Sequence, residues 1–236
     1  MRWPMRVVIV LGWILAGVVL LLASAVYHAQ LPLARRIVRD TVNKFVTGEI
    51  SGELAIGRLD QVSLDHVVAR WVSLYDPNGR RVIVADRIDL YPDFAALRGN
   101  TLRFKVSRLT HGTVRMIDDG ESSPTWIAAL NPRVKGGPPS LNPLHALLDH
   151  IELEDVTIYG DFLGLENFRV EGVQARGKLD ILREARVRID GGKGTFVQPF
   201  PFPGIVDDVR GSIDTDPTRG IDLTVAARRE HGSAAP

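Results

Sequence analysis

Thr101-Leu102-Arg103-Phe104-Lys105-Val106-Ser107-Arg108-Leu109 alternates strictly, with Leu102, Phe104 and Val106 at every second place and Arg103, Lys105 and Ser107 between them. A period of two belongs to a β-strand with one apolar and one wetted face. The same pattern recurs outward from it. Ala185, Val187 and Ile189 alternate with Arg186 and Arg188 in Arg183 to Asp190, and Ile221, Leu223 and Val225 repeat it near the end of the chain. Further strands are predicted over Glu49 to Ile56, Val67 to Tyr75, Arg81 to Tyr91, Gly112 to Ile117, Ile151 to Tyr159, Phe168 to Ala175 and Val206 to Ile213. Asp76-Pro77-Asn78-Gly79 separates two of them with turn residues, which predicts a hairpin.

Helical patterns are few. Ile37, Val38, Val42, Phe45 and Val46 fall at helical spacing in Leu33 to Val46, mostly opposite Arg35, Arg36, Arg39 and Lys44, with Gly48 placed to stop the helix. This short amphipathic helix is read as a cap over the first strand of a sheet, compatible with a place at a lipid surface. Short helices are also predicted at Phe94 to Arg98 after Asp93, Pro124 to Leu130 after Ser123, and Pro143 to Asp149 after Asn142. None is large enough to cover a sheet face, so an apolar face must be met by a second β-layer, closed into a barrel, or left to an apolar ligand.

Before these elements lies an uncharged apolar run of about 21 residues, Val7 to Tyr27, flanked by Trp3, Arg2 and Arg6. At about 1.5 Å per residue such a helix covers a hydrocarbon core of roughly 30 Å. It is read as a single-pass signal anchor in preference to a cleaved signal peptide, although Ala23-Ser24-Ala25 has the form of a cleavage site. The organisation expected is therefore an anchor over 1–28, a juxtamembrane helix over 29–48, a first β-unit over 49–130, a Pro/Gly-rich loop over 131–142, a second β-unit over 143–228 and a tail over 229–236.

The two β-units echo one another. Leu64-Asp65-His66-Val67 matches Leu148-Asp149-His150-Ile151, and Val72-Ser73-Leu74-Tyr75 matches Val156-Thr157-Ile158-Tyr159, at a constant offset of 84 residues. A weaker echo lies at Leu109 to Met116. In both copies the apolar parity slips partway, as from Leu153 to Val156, which a β-bulge would produce.

At these residues, and in "GELAIGRL", "VSLYDPNGRRVIVADRIDLY" and "LRGNTLRFKVSRLTHGTVRM", the chain resembles the amino-terminal part of the AsmA-like and TamB-like envelope proteins, whose members are usually much longer. The resemblance implies an inner-membrane anchored protein with its carboxy-terminal part in the periplasm, similar to bridge-like lipid transfer proteins. It implies a mainly β fold, an elongated, curved antiparallel β-groove, that takes part in phospholipid transport or outer-membrane assembly. The partners implied are phospholipid acyl chains, the inner membrane and an outer-membrane or periplasmic protein. Candidate groove-facing residues are Leu102, Phe104, Val106, Val114, Val187, Ile189, Leu223 and Val225. Phe200 and Phe202, in a Pro-Phe alternation that cannot pair inside a sheet, are candidates for sealing an edge or docking a partner. The alternative is an anchored β-sandwich scaffold or interaction module with no lipid groove.

Other classes find little support. A net charge of +1 gives no nucleic-acid footprint. The absence of cysteine removes disulfides, thiolate metal sites and cysteine nucleophiles. There is no nucleophile elbow, zinc-binding helix, dinucleotide turn or Walker loop, and Gly191-Gly192-Lys193-Gly194-Thr195 has the wrong order for a phosphate cradle. Asp76-Pro77-Asn78-Gly79 is not a calcium loop, because Arg87 stands where the closing glutamate would be. His145, Asp149 and His150 are read as a charged helix end. No catalytic residue, metal ligand or cofactor is assigned, and the chain is expected not to be an enzyme.

Overall fold

The computed structural model describes residues 31–117, 124–133, 145–162, 164–182, 184–199, 204–214 and 221–229. The apolar run at 7–27 and the candidates Phe200 and Phe202 lie outside the described residues. Among those described, no helix is long and apolar enough to cross a membrane.

Helix α1 (Pro32–Glu49) leads into strands β1 (Glu53–Val62), β2 (Val67–Tyr75), β3 (Arg81–Asp93) and β4 (Thr101–Met116), with a 3₁₀ turn at Phe94–Gly99. Helix α2 (Thr125–Leu130) precedes β5 (His145–Phe162), β6 (Leu165–Ile181), β7 (Ala185–Gln198), β8 (Gly204–Asp214) and β9 (Ile221–Arg229). The nine strands form one open sheet in chain order. Every neighbouring pair is antiparallel except β4 and β5, which run parallel from Thr101 beside His145 to Met116 beside Gly160. The sheet is therefore mixed, not purely antiparallel. The cause is the connection over 117–144, long enough to return the chain to the starting end of β4; a parallel crossover needs about a dozen residues or more.

Several local expectations are met. The β2–β3 turn carries Gly79 at φ 77°, and Asp76 Oδ1 accepts from the backbone N–H of Asn78 and Arg80, both at 2.9 Å. Asp93 caps the 3₁₀ turn by accepting from Ala95 N at 3.2 Å. Others are corrected. Thr101 to Leu109 and Gly112 to Met116 form one strand that continues through His111 at φ 50°, and Ile117 falls just outside it. His145 to Asp149 is strand, not helix, since pairing with β4 satisfies its backbone; His145 meets Asp180 at 2.8 Å and Asp149 meets Arg103 at 2.6 Å instead of forming a helix end. Helix α1 runs through Gly48 to Glu49 and β1 starts only at Glu53.

The parity slip is a line across the sheet. Trp71 and Asp155, 84 residues apart, both sit at φ 54°, and His111 at φ 50° lies between Thr110 and Gly112, which pair with Glu154 and Val156 on either side of Asp155. Left-handed backbone costs about 1–2 kcal/mol at a non-glycine residue. Here each such residue turns the strand so that apolar side chains on both sides of the line share one face.

Helix α1 protects the edge of the sheet. Thr47 Oγ1 accepts from Leu54 N at 3.1 Å, and Asn43 accepts from Ile56 N at 2.9 Å while its amide donates to Ile56 O at 3.3 Å. Arg39 donates to Gly57 O at 2.9 Å and Arg35 donates to Asp60 O. Four helical residues rise about 6 Å and two strand residues about 6.7 Å. Side chains at every fourth helix position, Thr47, Asn43, Arg39 and Arg35, thus meet strand groups at Leu54, Ile56, Gly57 and Asp60, two positions per helical turn on average, and the helix occupies groups that would otherwise template another strand. Replacing Asn43 by Ala is expected to cost about 1–2 kcal/mol, as two backbone groups of Ile56 lose their partner, with faster amide exchange at Ile56. Unchanged exchange there would refute the edge-capping role.

Candidate functional site

The apolar face of the sheet is built in rows running strand to strand. One row takes Leu54, Leu74, Ile83, Val114, Ile158, Val170 and Phe196, each paired in register with the next. A second crosses all nine strands as Val62, Val67, Leu90, Ser107, Ile151, Gly177, Ile189, Gly211 and Leu223. A third joins Phe104, Leu148, Leu179, Val187, Ile213 and Ile221.

What covers these rows differs along the face. Helix α2 packs against β2, β3, β4 and also β7, so the face bends around it. Its Ile127 is fully buried against Leu179, Ile181, Ala185 and Ile213, while its Ala129 is fully buried with Ile50, Leu74 and Val82. Trp126 packs with both groups, and its Nε1 donates to Met116 Sδ at 3.1 Å. The segment after the helix is stitched to both sides: Ser51 N donates to Asn131 O at 2.8 Å, Gly52 N to Ala129 O at 2.8 Å, and Ala185 N to Asn131 Oδ1 at 2.9 Å. Glycine is required at 52, because a Cβ there would lie 2.3 Å from Tyr75 O.

Away from the helix the rows are less covered. In the row crossing all nine strands, every large apolar residue is only half-buried, namely Val62, Val67, Leu90, Ile151, Ile189 and Leu223. Gly177 and Gly211 flank Ile189 in register and add no bulk. Ser107 is 5% exposed, and its hydroxyl is buried without a hydrogen-bond partner among the described residues.

The structure places Leu102, Phe104, Val114, Val187, Ile189, Leu223 and Val225 in register with this face, with Val225 56% exposed on the last strand. Val106 is corrected. It pairs with Tyr91, whereas Ser107 pairs with Leu90 and Ile151 of the apolar row, so Ser107 and not Val106 belongs to the face. The reason is an irregularity opposite Pro92, which pairs with Phe104 and leaves Lys105 extra; a proline cannot donate to the ladder. Sequence alternation could have located this break only by treating Pro92 as its cause.

The opposite face is polar and ion-paired. Asp89, nearly buried, accepts from Arg87 Nε at 2.6 Å and Nη2 at 2.8 Å, and His66 Nε2 lies 2.9 Å from Oδ1. His66 also stacks on Tyr91 at 4.5 Å. Hydrogen bonding from Arg87, partly opposed by burial and assisted by His66, holds the Asp89 carboxyl below the ordinary carboxylate range. Both its oxygens are occupied by these hydrogen bonds, so the cluster is an ion-pair device. A carboxyl depressed on folding adds stability that is present above its unfolded value of about 3.9 and is lost as pH falls through the folded value. Asp89→Asn is expected to cost about 1–3 kcal/mol near neutrality, and the gap from the parent in urea unfolding should close toward acid. A gap independent of pH would refute this assignment.

The class defined here is an open, mixed nine-stranded sheet with one charged face and one apolar face folded partly around a six-residue helix. No protein-family model and no curated protein sequence matches the chain. Among the described residues no group of three or more His, Asp or Glu side chains is placed to hold a metal ion.

Proposed function

We propose that this is an inner-membrane anchored, periplasmic β-groove protein whose apolar face receives phospholipid acyl chains, in lipid transport or outer-membrane assembly, as the resemblance to AsmA-like and TamB-like proteins implies. The observation that carries the reading is the row from Val62 to Leu223, which crosses every strand and whose large apolar side chains all stay only half-buried. Each methylene moved from water onto such a surface gains up to about 0.8 kcal/mol. An elongated, curved sheet presenting that row would hold a chain along its concave side, with the anchor at 7–27 keeping it beside the source of lipid.

A second reading rests on helix α2, which already buries part of the face through Ile127 and Ala129. Were this seal general, the protein would be an anchored scaffold or interaction module. Native mass spectrometry with lipid extraction on the full chain, purified in mild detergent, separates the two. Stoichiometric phospholipid is expected; a stable lipid-free chain would favour the scaffold.

A further inference from the structure

A hollow of about 550 Å³ lies where the first turns of α1 meet β1 and β2, lined by Arg35, Arg36, Arg39, Arg58, Asp60 and Trp71 among others. Four guanidinium groups face one carboxylate there. That carboxylate is already shared, since Asp60 accepts from Arg58 Nε at 2.6 Å and from Arg70 Nε at 2.5 Å. These two arginines hold Asp60 below its ordinary range against the opposing effect of burial, the largest single influence. The excess positive charge therefore belongs to Arg35, Arg36 and Arg39, of which Arg39 is engaged by Asp40 at 2.6 Å.

Arg35 Nε is buried and has no hydrogen-bond partner among the described residues. A buried guanidinium N–H without an acceptor is costly. The start of α1 adds to the demand for an anion, because its first turn holds no acidic residue and no side chain caps it. Arg58 lies 5.3 Å over the ring of Trp71, which is 59% exposed at the rim. Leu33 and Ile37, on the same turns of the helix, are exposed as well. Planar guanidinium groups bind phosphate oxygens through paired N–H donors, and tryptophan favours the headgroup layer of a membrane.

We infer that this hollow is a binding site for the phosphate of an anionic phospholipid headgroup, with Arg35 and Arg36 as its principal donors and Trp71 at the lipid interface. The phosphate chemistry stands on the hollow alone, while its assignment to a lipid rests on the anchored reading above. Pro32 follows Tyr27, the end of the apolar run, by five residues. That is at most about 18 Å of extended chain. An anchor at 7–27 thus keeps the hollow within reach of the headgroups on its own side.

The test uses the full chain in neutral detergent, titrated by native mass spectrometry with dihexanoylphosphatidylglycerol, with dihexanoylglycerol, which lacks phosphate, and with inorganic phosphate. Saturable binding of the phosphatidylglycerol is expected, at least tenfold weaker for the dihexanoylglycerol, and weakened at least tenfold by R36E, whose site is exposed. R58Q should weaken it less. R188Q, which removes an arginine paired with Asp190 on β7 and remote from the hollow, should leave headgroup binding within about twofold, a factor worth less than about 0.5 kcal/mol. Equal binding by the parent and R36E would overturn the proposal. So would inorganic phosphate binding as tightly as the lipid, which would make this a free-anion site. Equal loss on R188Q and R36E would overturn the headgroup site, as attraction to net charge alone, while leaving the groove reading intact; headgroup binding without extractable lipid would do the reverse.

Discussion

Ile127→Asp unfolds the sheet under conditions where the parent is stable, and Ile127→Ala lowers its stability by about 2–5 kcal/mol. Ile127 has no exposed surface and touches β6, β7 and β8, while two residues on Ala129 is buried against β2 and β3. A carboxylate at 127 would be buried without a partner, which costs several kcal/mol against a total stability of about 5–15 kcal/mol. The measurement is urea unfolding followed by near-ultraviolet circular dichroism, with Leu64→Asp as control. Leu64 is 65% exposed, so its substitution should change stability by no more than about 0.5 kcal/mol. In Ile127→Ala, amide exchange should accelerate in β2–β3 and β7–β8 together, because one short helix ties these regions. Loosening on one side alone would refute the bridging role.

Ile189→Glu abolishes co-purification of phospholipid while the chain stays folded. Its half-buried side chain stands between Gly177 and Gly211 in register, so a longer polar side chain has room to turn toward water. The cost to folding should be near 1–2 kcal/mol, far below that at Ile127. A carboxylate within the row would however meet any acyl chain laid along it, and an uncompensated charge against hydrocarbon is prohibitive. Native mass spectrometry reads the lipid, and a thermal melt reads the fold. An unfolded Ile189→Glu chain would mean a sealed core and favour the scaffold; a folded chain that keeps its lipid would move the acyl site elsewhere.

The contrast between Ile127 and Ile189 shows where sequence reading reaches its limit. Both are isoleucines in apolar patterns, yet one is locked between distant strands and the other only half covered. Val106 and Ser107 make the same point on a smaller scale. Strict alternation assigns Val106 to the apolar face, but the proline on the neighbouring strand shifts the register and exchanges the two. The error is confined to one bulge because the hydrophobic pattern holds the register on either side.

Local chemistry was sufficient for the β-rich class, the Asp76 to Gly79 hairpin, the amphipathic helix and the parity slip that becomes a line of left-handed residues at Trp71, His111 and Asp155. These follow from alternation, turn residues and periodicity, which act over a few positions. The parallel pairing of β4 with β5, the strand at His145 to Asp149, the hollow beneath α1 and the position of α2 between the two ends of the sheet came only from the tertiary structure. Each depends on which distant segment supplies a backbone partner or an apolar neighbour. That choice is made by packing the whole chain and leaves no periodic trace in any one stretch of it.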